Sequence, residues 1–347
     1  MKIVLRIAAS VSIGTVLFFG YGLKGSTQSK DLTASQKFKN IKVLKDMPAE
    51  HMGKVMSMMA ASLGVDCDFC HKGEDFAAEG NEHKDTAREM LEMTFALNKQ
   101  YFRGRPEINC NTCHHGIAHP QPGFPLEPPV ARPPRPKQPE TKPTAEEIVA
   151  KFKKAVGTPD SGGRYITAVR IEPSGKSEAE QIWIKGEKMR VETAYPDAVV
   201  TDGYDGANSW KKSGAEMVEI RKTEADYIKS EALMYSGKLI DSYTKLDFRF
   251  LDKIDGREAY MVIATTADNM RDRLYFDVET GYLIRRMATT PTVLGTHVVQ
   301  TDYSDFKKYG GFAVPRTTKF SMPHVYWTRK IKKVKVGASI DDSKFVK

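Results

Sequence analysis

Two pentapeptides, Cys67-Asp68-Phe69-Cys70-His71 and Cys110-Asn111-Thr112-Cys113-His114, contain all four cysteines of this 347-residue chain. Residues three apart share one face of a helical turn, so each thiol pair can grip one flat group. A histidine follows each pair directly. This order suits one chemistry: the thiols form thioethers to the vinyl groups of a porphyrin, and the histidine is held under the ring as proximal iron ligand. Two C-x-x-C pairs could instead share one zinc ion or close as redox disulfides. Neither alternative explains a histidine after both pairs. The residues therefore point to two covalently bound haem c groups, attached at Cys67 and Cys70 and at Cys110 and Cys113.

The usual sixth ligands of such an iron are Met and His. Met56 lies eleven residues before Cys67, and Met90 lies twenty before Cys110. Both sit in helical stripes. Pro48 suits a first helical turn, Met52, Val55, Met56, Met59 and Leu63 recur at helical spacing, and Gly64 is a natural stop. A second helix is expected from Asp85–Thr86, where Thr86 and Glu89 form a capping-box pattern, and Gly104 and Pro106 end it. A methionine in such a stripe serves equally well as core filling. His51, His83, His115 and His119 are rival ligands, so spacing alone leaves the sixth position open.

Asn40-Ile41-Lys42-Val43-Leu44, Val55-Met56-Ser57-Met58-Met59 and Leu63-Gly64-Val65-Asp66 before the first motif resemble a haem unit of the photosynthetic reaction-centre cytochrome c subunit family. So do Ala87-Arg88-Glu89-Met90-Leu91-Glu92-Met93-Thr94, Asn98, the second motif with His115-Gly116, and Pro120. The resemblance covers residues 40–120. It implies that Met56 ligates the first haem iron with His71, and Met90 the second with His114. Met52, Met58, Met59 and Met93 then become core. Two departures matter. The family's subunit carries four haems, whereas this chain has motifs for two. The family also has a histidine beyond the second helix that ligates a distant haem, and none lies in Leu97–Asn109. Nothing in the residues themselves indicates photosynthesis.

Lys2 and Arg6 precede Ile7–Leu23, seventeen residues without a charge. That is an export signal or a short N-terminal anchor. It puts the remainder on the outer, periplasmic side of the membrane, with retention at the inner membrane if the anchor is kept. Ten of the eighteen prolines fall between Pro120 and Pro143, a composition that favours an extended spacer. Beyond it there is no cysteine, and apolar and polar residues alternate as in half-buried strands. Strands are expected at Arg164–Glu172, Phe248–Leu251, Tyr260–Ala264, Gly295–Phe306, Val314–Phe320 and Trp327–Val336, with hairpins over Gln181–Thr193, turning at Lys185-Gly186-Glu187-Lys188, and over Leu274–Ile284. Glu216–Tyr235 suits one or two helices. Tyr204-Asp205-Gly206 with Trp210, Tyr275-Phe276-Asp277 with Thr280-Gly281, and Tyr303-Ser304-Asp305-Phe306 with Val314-Pro315 resemble the half-barrel of LolA/LolB-like lipoprotein carriers. That resemblance implies a concave face able to take a lipid-like ligand.

The expected organisation is a signal or anchor (1–29), a mainly α dihaem cytochrome c domain (30–118), a Pro-rich linker (119–143) and an α+β domain with a curved antiparallel sheet, the half-barrel (144–347). A net charge of +9 is spread along the chain without a dense basic patch, so nucleic acid is not an expected partner. The expected function is one-electron transfer to redox proteins, including a membrane electron-transfer complex. No acid–base or nucleophile constellation stands out. Two other classes remain: a dihaem peroxidase-like oxidoreductase with one open iron, and a lipid- or lipoprotein-binding module with redox-sensing haems.

Overall fold

The computed structural model describes residues 32–73, 75–120, 136, 138–159 and 162–347. The export signal and most of the Pro-rich stretch lie outside the described residues. The helical part holds α1 (Ala34–Lys37), α2 (Met52–Leu63), α3 (Glu82–Tyr101) and α4 (Cys110–His114). Its core gathers Ala34, Leu44, Met47, Val55 and Leu91. α2 ends as its residues dictate: Gly64 adopts the left-handed conformation at φ 65°, and its N–H caps the Ala60 carbonyl. α3 begins earlier than Thr86. The Asn81 side chain accepts from the His83 N–H and starts the helix at Glu82. An Asx cap at Asn81 outcompetes the Thr86 pattern because it satisfies an orphan N–H four residues sooner.

α5 (Ala145–Val156) follows, capped reciprocally by Thr144 and Glu147. Thirteen strands then form one antiparallel sheet: β1 (Gly163–Ile171), β2 (Ser177–Lys185), β3 (Lys188–Ala194), β4 (Val199–Tyr204), β5 (Ser209–Ser213), β6 (Glu216–Val218), β7 (Lys245–Ile254), β8 (Arg257–Thr265), β9 (Arg271–Asp277), β10 (Leu283–Thr292), β11 (Gly295–Tyr309), β12 (Phe312–Met322) and β13 (Val325–Ala338). The order is β6-β5-β4-β3-β2-β1-β13-β12-β11-β10-β9-β8-β7, so one long-range pairing, β1 with β13, joins two meanders. The predicted strands are present. The helix expected over Glu216–Tyr235 is instead β6 followed by α6 (Lys222–Ser236). A tail segment, Asp342–Phe345, tucks Phe345 into the structure, and its carbonyl accepts from the Trp210 indole.

The sheet is curved, and α5 and α6 pack on its concave face. α6 is anchored there by charge as well as by apolar contact. Arg329, buried on β13, pairs with Glu180 of β2 and Glu231 of α6. Arg286 of β10 donates to Asp272 at 2.9 Å and to the Ser230 hydroxyl at 3.0 Å, and Tyr243 donates to Asp272 at 2.6 Å. The cavity between α6 and the sheet measures about 10 Å³, which is at most room for one water.

The helical part sits on one end of the sheet. Leu294, at the turn between β10 and β11, is 1% exposed and belongs to the helical core beside Val55 and Leu91. Asn109 donates to its carbonyl at 3.2 Å. His297 of β11 is buried under the first turns of α2; burial first, then the charges of Lys54 and His51, pull its imidazole down to about 4. His324 lies 3.1 Å from Asp66, and Lys37 lies 2.7 Å from Glu219.

Two predictions follow from this packing. Arg329→Met strands two buried carboxylates and should lower unfolding free energy by about 3–5 kcal/mol in urea titrations; a change below about 1 kcal/mol would contradict the pairing. For His297 the folded imidazole binds protons less readily than the unfolded one. Its effect is therefore nil above about pH 6.5 and grows as pH falls toward about 4. Unfolding titrations across that window should show the wild type losing about 3 kcal/mol that His297→Gln does not lose.

Candidate functional site

Each motif is carried by a short helical turn. Cys67–Phe69 is a 3₁₀ turn, and its carbonyl at Cys67 receives the His71 N–H at 3.0 Å. Cys110 to His114 forms α4, opened by a reciprocal cap between Asn109 and Thr112. In both, the cysteines share one face and the histidine comes next. All four thiols are free, with Cys67 and Cys113 exposed and Cys70 and Cys110 half-buried.

Neighbouring residues hold these turns in place. The Asn98 side chain, buried in α3, accepts from the Ile108 N–H at 3.0 Å and donates to the Ile108 carbonyl at 2.7 Å. This staple delivers the chain to Cys110. Lys84 donates to the carbonyls of Phe76 and Ala78, and Asn81 donates to the Phe69 carbonyl at 3.1 Å, fixing the loop after His71. Glu79 joins Arg88 and Lys42; hydrogen bonds from Arg88 and then Lys42 hold its carboxyl well below the usual range. The two motifs meet at a glycine seam. A Cβ on Gly64 would fall 2.0 Å from the Gly116 carbonyl oxygen, and the Gly116 N–H donates to the Ser62 carbonyl at 2.8 Å. Asn98, Gly64 and Gly116 stood in the family pattern, but their structural role had no signal in spacing alone.

The residues present fit a covalent haem. His114 Nδ1 lies 3.0 Å from the Ile117 carbonyl oxygen, which can only accept, so the proton sits on Nδ1 and the Nε2 lone pair is left for a metal. Burial, and then Lys84, lower the His71 imidazole below its ordinary range, favouring the neutral, ligating form. Its Nδ1 is buried without a hydrogen-bond partner among the described residues. Burial also pushes the Cys70 and Cys110 thiols up, which disfavours the thiolates that zinc requires. Among the described residues no three His, Cys, Asp or Glu side chains gather to hold a metal ion.

The two methionines differ in setting. Met56 is half-buried on α2 and packs against the helical core, as do Met52, Met58 and Met59. Met90 is 37% exposed on α3 and Met93 46%. Phe76, Tyr101 and Ile117 are also exposed. That is more bare apolar side chain than a small helical unit normally leaves to water, and a flat apolar group would cover it. Among the rival ligands, His83 stacks on Phe69 with ring centres 4.0 Å apart, and His51 faces the sheet beside His297. His115 and His119 are exposed. Sequence reasoning missed Asn81, Leu294 and His297. The last two act across roughly two hundred residues or more, and no local pattern marks them.

Among the described residues no helix is long and apolar enough to cross a membrane. Residues 23–150 match the family model described as photosynthetic reaction centre cytochrome C subunit. Cytochrome c-554 of Chloroflexus aurantiacus is 29% identical over 91 residues, 24% of this chain and 22% of that protein. The photosynthetic reaction center cytochrome c subunit of Rubrivivax gelatinosus is 33% identical over 89 residues, 24% of each chain. That of Roseobacter denitrificans is 28% identical over 102 residues, 26% of each. The chain thus spans about a quarter of the length of the curated relatives it matches. A LolA superfamily protein from Nitrosomonas europaea superposes with TM-score 0.41 at 14% identity, covering 59% of this chain and 99% of that one. A DUF1329 family protein from Desulfovibrio piger gives 0.44 at 13%, covering 58% and 95%. The stretch that carries both cysteine motifs is therefore similar to reaction-centre cytochrome c subunits.

Proposed function

We propose that this chain is an exported dihaem c-type cytochrome that carries single electrons. Cys67 and Cys70 hold one haem and Cys110 and Cys113 the other, with His71 and His114 as proximal ligands. Met56 and Met90 supply the sixth ligands. The observation that carries the reading is the pairing of two complete attachment motifs with a His114 imidazole oriented by a backbone carbonyl, its Nε2 free for iron. The bound group supplies a reversible one-electron couple. The chain's own residues set that couple. Met sulfur is a weak donor to ferric iron and raises the potential relative to two histidines. The Ile117 carbonyl holds the His114 tautomer.

An iron ligated on both faces offers no site to oxygen or peroxide, which suits a carrier. The glycine seam keeps the two attachment turns adjacent, so groups held by Cys67, Cys70 and His71 and by Cys110, Cys113 and His114 would belong to one unit able to exchange single electrons. Partners are redox proteins, and the relatives' names favour a membrane electron-transfer complex. A signal or anchor at residues 1–29 would put the molecule in the periplasm, held at the inner membrane if the anchor is kept. The divisions 30–118, 119–143 and 144–347 remain the proposed domain limits. The exposure of Met90 favours one second reading, a peroxidase-like enzyme in which the second iron is open.

Carbon monoxide separates the two readings. In holoprotein made by an exporting host with haem-attachment machinery, the ferric form should show the near-red band of Met-to-iron bonding, and the ferrous form should bind no carbon monoxide. Met56→Ala and Met90→Ala should each lose about half of that band and expose one iron to carbon monoxide. Stoichiometric binding at one haem of the wild type would replace the carrier with the enzyme.

A further inference from the structure

Lys330, Lys332, Lys333 and Lys335 of β13 are all exposed. Lysines commonly guard the edges of sheets, but β13 has no edge to guard. It is hydrogen-bonded to β1 on one side and to β12 on the other. Its alternation is broken opposite β1: Thr167 pairs with Lys333 and Ala168 with Ile331, so Lys332 is the extra residue of a β-bulge. Ile331 and Val334 both pack into the core shared with α5 and α6. The two lysines between them therefore turn away from that core, as Lys330 and Lys335 do. Lys319 of β12 joins them, because the next residue, Phe320, packs against Tyr227 of α6. The fold thus gathers five cations on the outer face of the sheet.

Among the described residues none of the five has a carboxylate partner. The cross-strand neighbours of the β13 lysines are uncharged: Val169 and Thr317 beside Lys330, Thr167 beside Lys333, Tyr165 beside Lys335. Asp302 lies opposite Lys319, but its carboxylate is held by Arg285 at 3.0 Å and Gln300 at 2.9 Å. Like charges this close repel one another, so the face keeps an uncompensated positive field. It is also separate from the attachment turns. At about 3.3 Å per residue, the β13 lysines lie roughly 15–35 Å along the strand from Val325 at the helical end.

The chemistry of the cations selects the partner. Protein interfaces are rich in Arg and poor in Lys, and Arg is the residue that grips a carboxylate through two parallel bonds. All five cations here are Lys. An ammonium on a flexible stem is a point charge that meets phosphates without a fixed geometry, as a fluid surface requires. We propose that this outer face docks on the anionic phospholipid headgroups of a bilayer through Lys319, Lys330, Lys332, Lys333 and Lys335. Lipid phosphates take the charges that no carboxylate of the chain takes. The docked sheet holds the helical part at its end, with the attachment turns off the contact.

Acetylation footprinting of the full haem-loaded chain, read lysine by lysine by mass spectrometry, tests this. Vesicles of equal parts phosphatidylglycerol and phosphatidylcholine should protect the five lysines severalfold, and high salt should remove the protection. Pure phosphatidylcholine vesicles should not protect them. Lys39, Lys45 and Lys99, exposed on the helical part, should react equally throughout. The chain's preference for anionic over neutral vesicles should fall about fivefold for each lysine neutralised, or roughly a hundredfold in Lys330→Gln/Lys333→Gln/Lys335→Gln. Neutralising Lys39, Lys45 and Lys99 instead should leave it unchanged. Equal losses in the two triple variants would mean attraction by net charge alone and overturn the face. Unprotected lysines on the anionic vesicles would also overturn it. Protection by poly-L-glutamate without protection by vesicles would replace the membrane with an acidic protein. The footprint needs no electron transfer, so its failure leaves the carrier reading untouched.

Discussion

The arrangement of the site rests on one close backbone approach in the helical part. Gly64 ends α2, and Gly116 follows the second attachment turn; their backbones meet where no Cβ fits. Gly64 must be glycine twice over, for its positive φ and for the space. Because α2 is the helix that precedes the first motif, its end at Gly64 ties that motif to the tail of the second. Two separate attachment turns thereby become one two-centre unit. Without this seam the two attachment turns would be free to move independently of one another.

Around that seam the structure uses polar staples more than apolar bulk. Asn98 clamps Ile108, Asn81 caps α3 and holds Phe69, and Lys84 gathers carbonyls beyond His71. The buried apolar cluster is small and borrows Leu294 from the sheet. A small helical unit that leaves Met90, Met93 and Ile117 in water has an incomplete core, which the proposed porphyrins would cover. The sheet plays the opposite part. Its concave face is already filled by α5 and α6, and buried Arg–carboxylate groups hold α6 down, so it acts as a rigid platform on which the helical part rests.

Much of this was legible in the residues, and the reasons for the misses are physical. The two C-x-x-C-H motifs are readable from five residues each, and the structure sets each on a short helical turn. Gly64 as a stop and most strand positions followed from conformational preference and period-two alternation. The start of α3 was misplaced because two capping patterns lie within five residues, and only the local fold decides between them. α5 was overlooked although Thr144 and Glu147 carry a capping-box signature. That α5 and α6 pack on the sheet was not legible, because alternation reports which face of a strand is buried, not what buries it. Leu294 and His297 were invisible for a simpler reason: their partners on α2 and α3 lie far away in the chain.

The central claim is that the chain carries two covalent haems, and intact mass spectrometry of the mature, denatured protein addresses it most directly. The account predicts a mass greater than the polypeptide by two haem groups, retained after acid–acetone extraction, and reduced by one group when Cys110 and Cys113 are both replaced by serine. A mass equal to the bare chain, or to the chain plus a single haem, would contradict it.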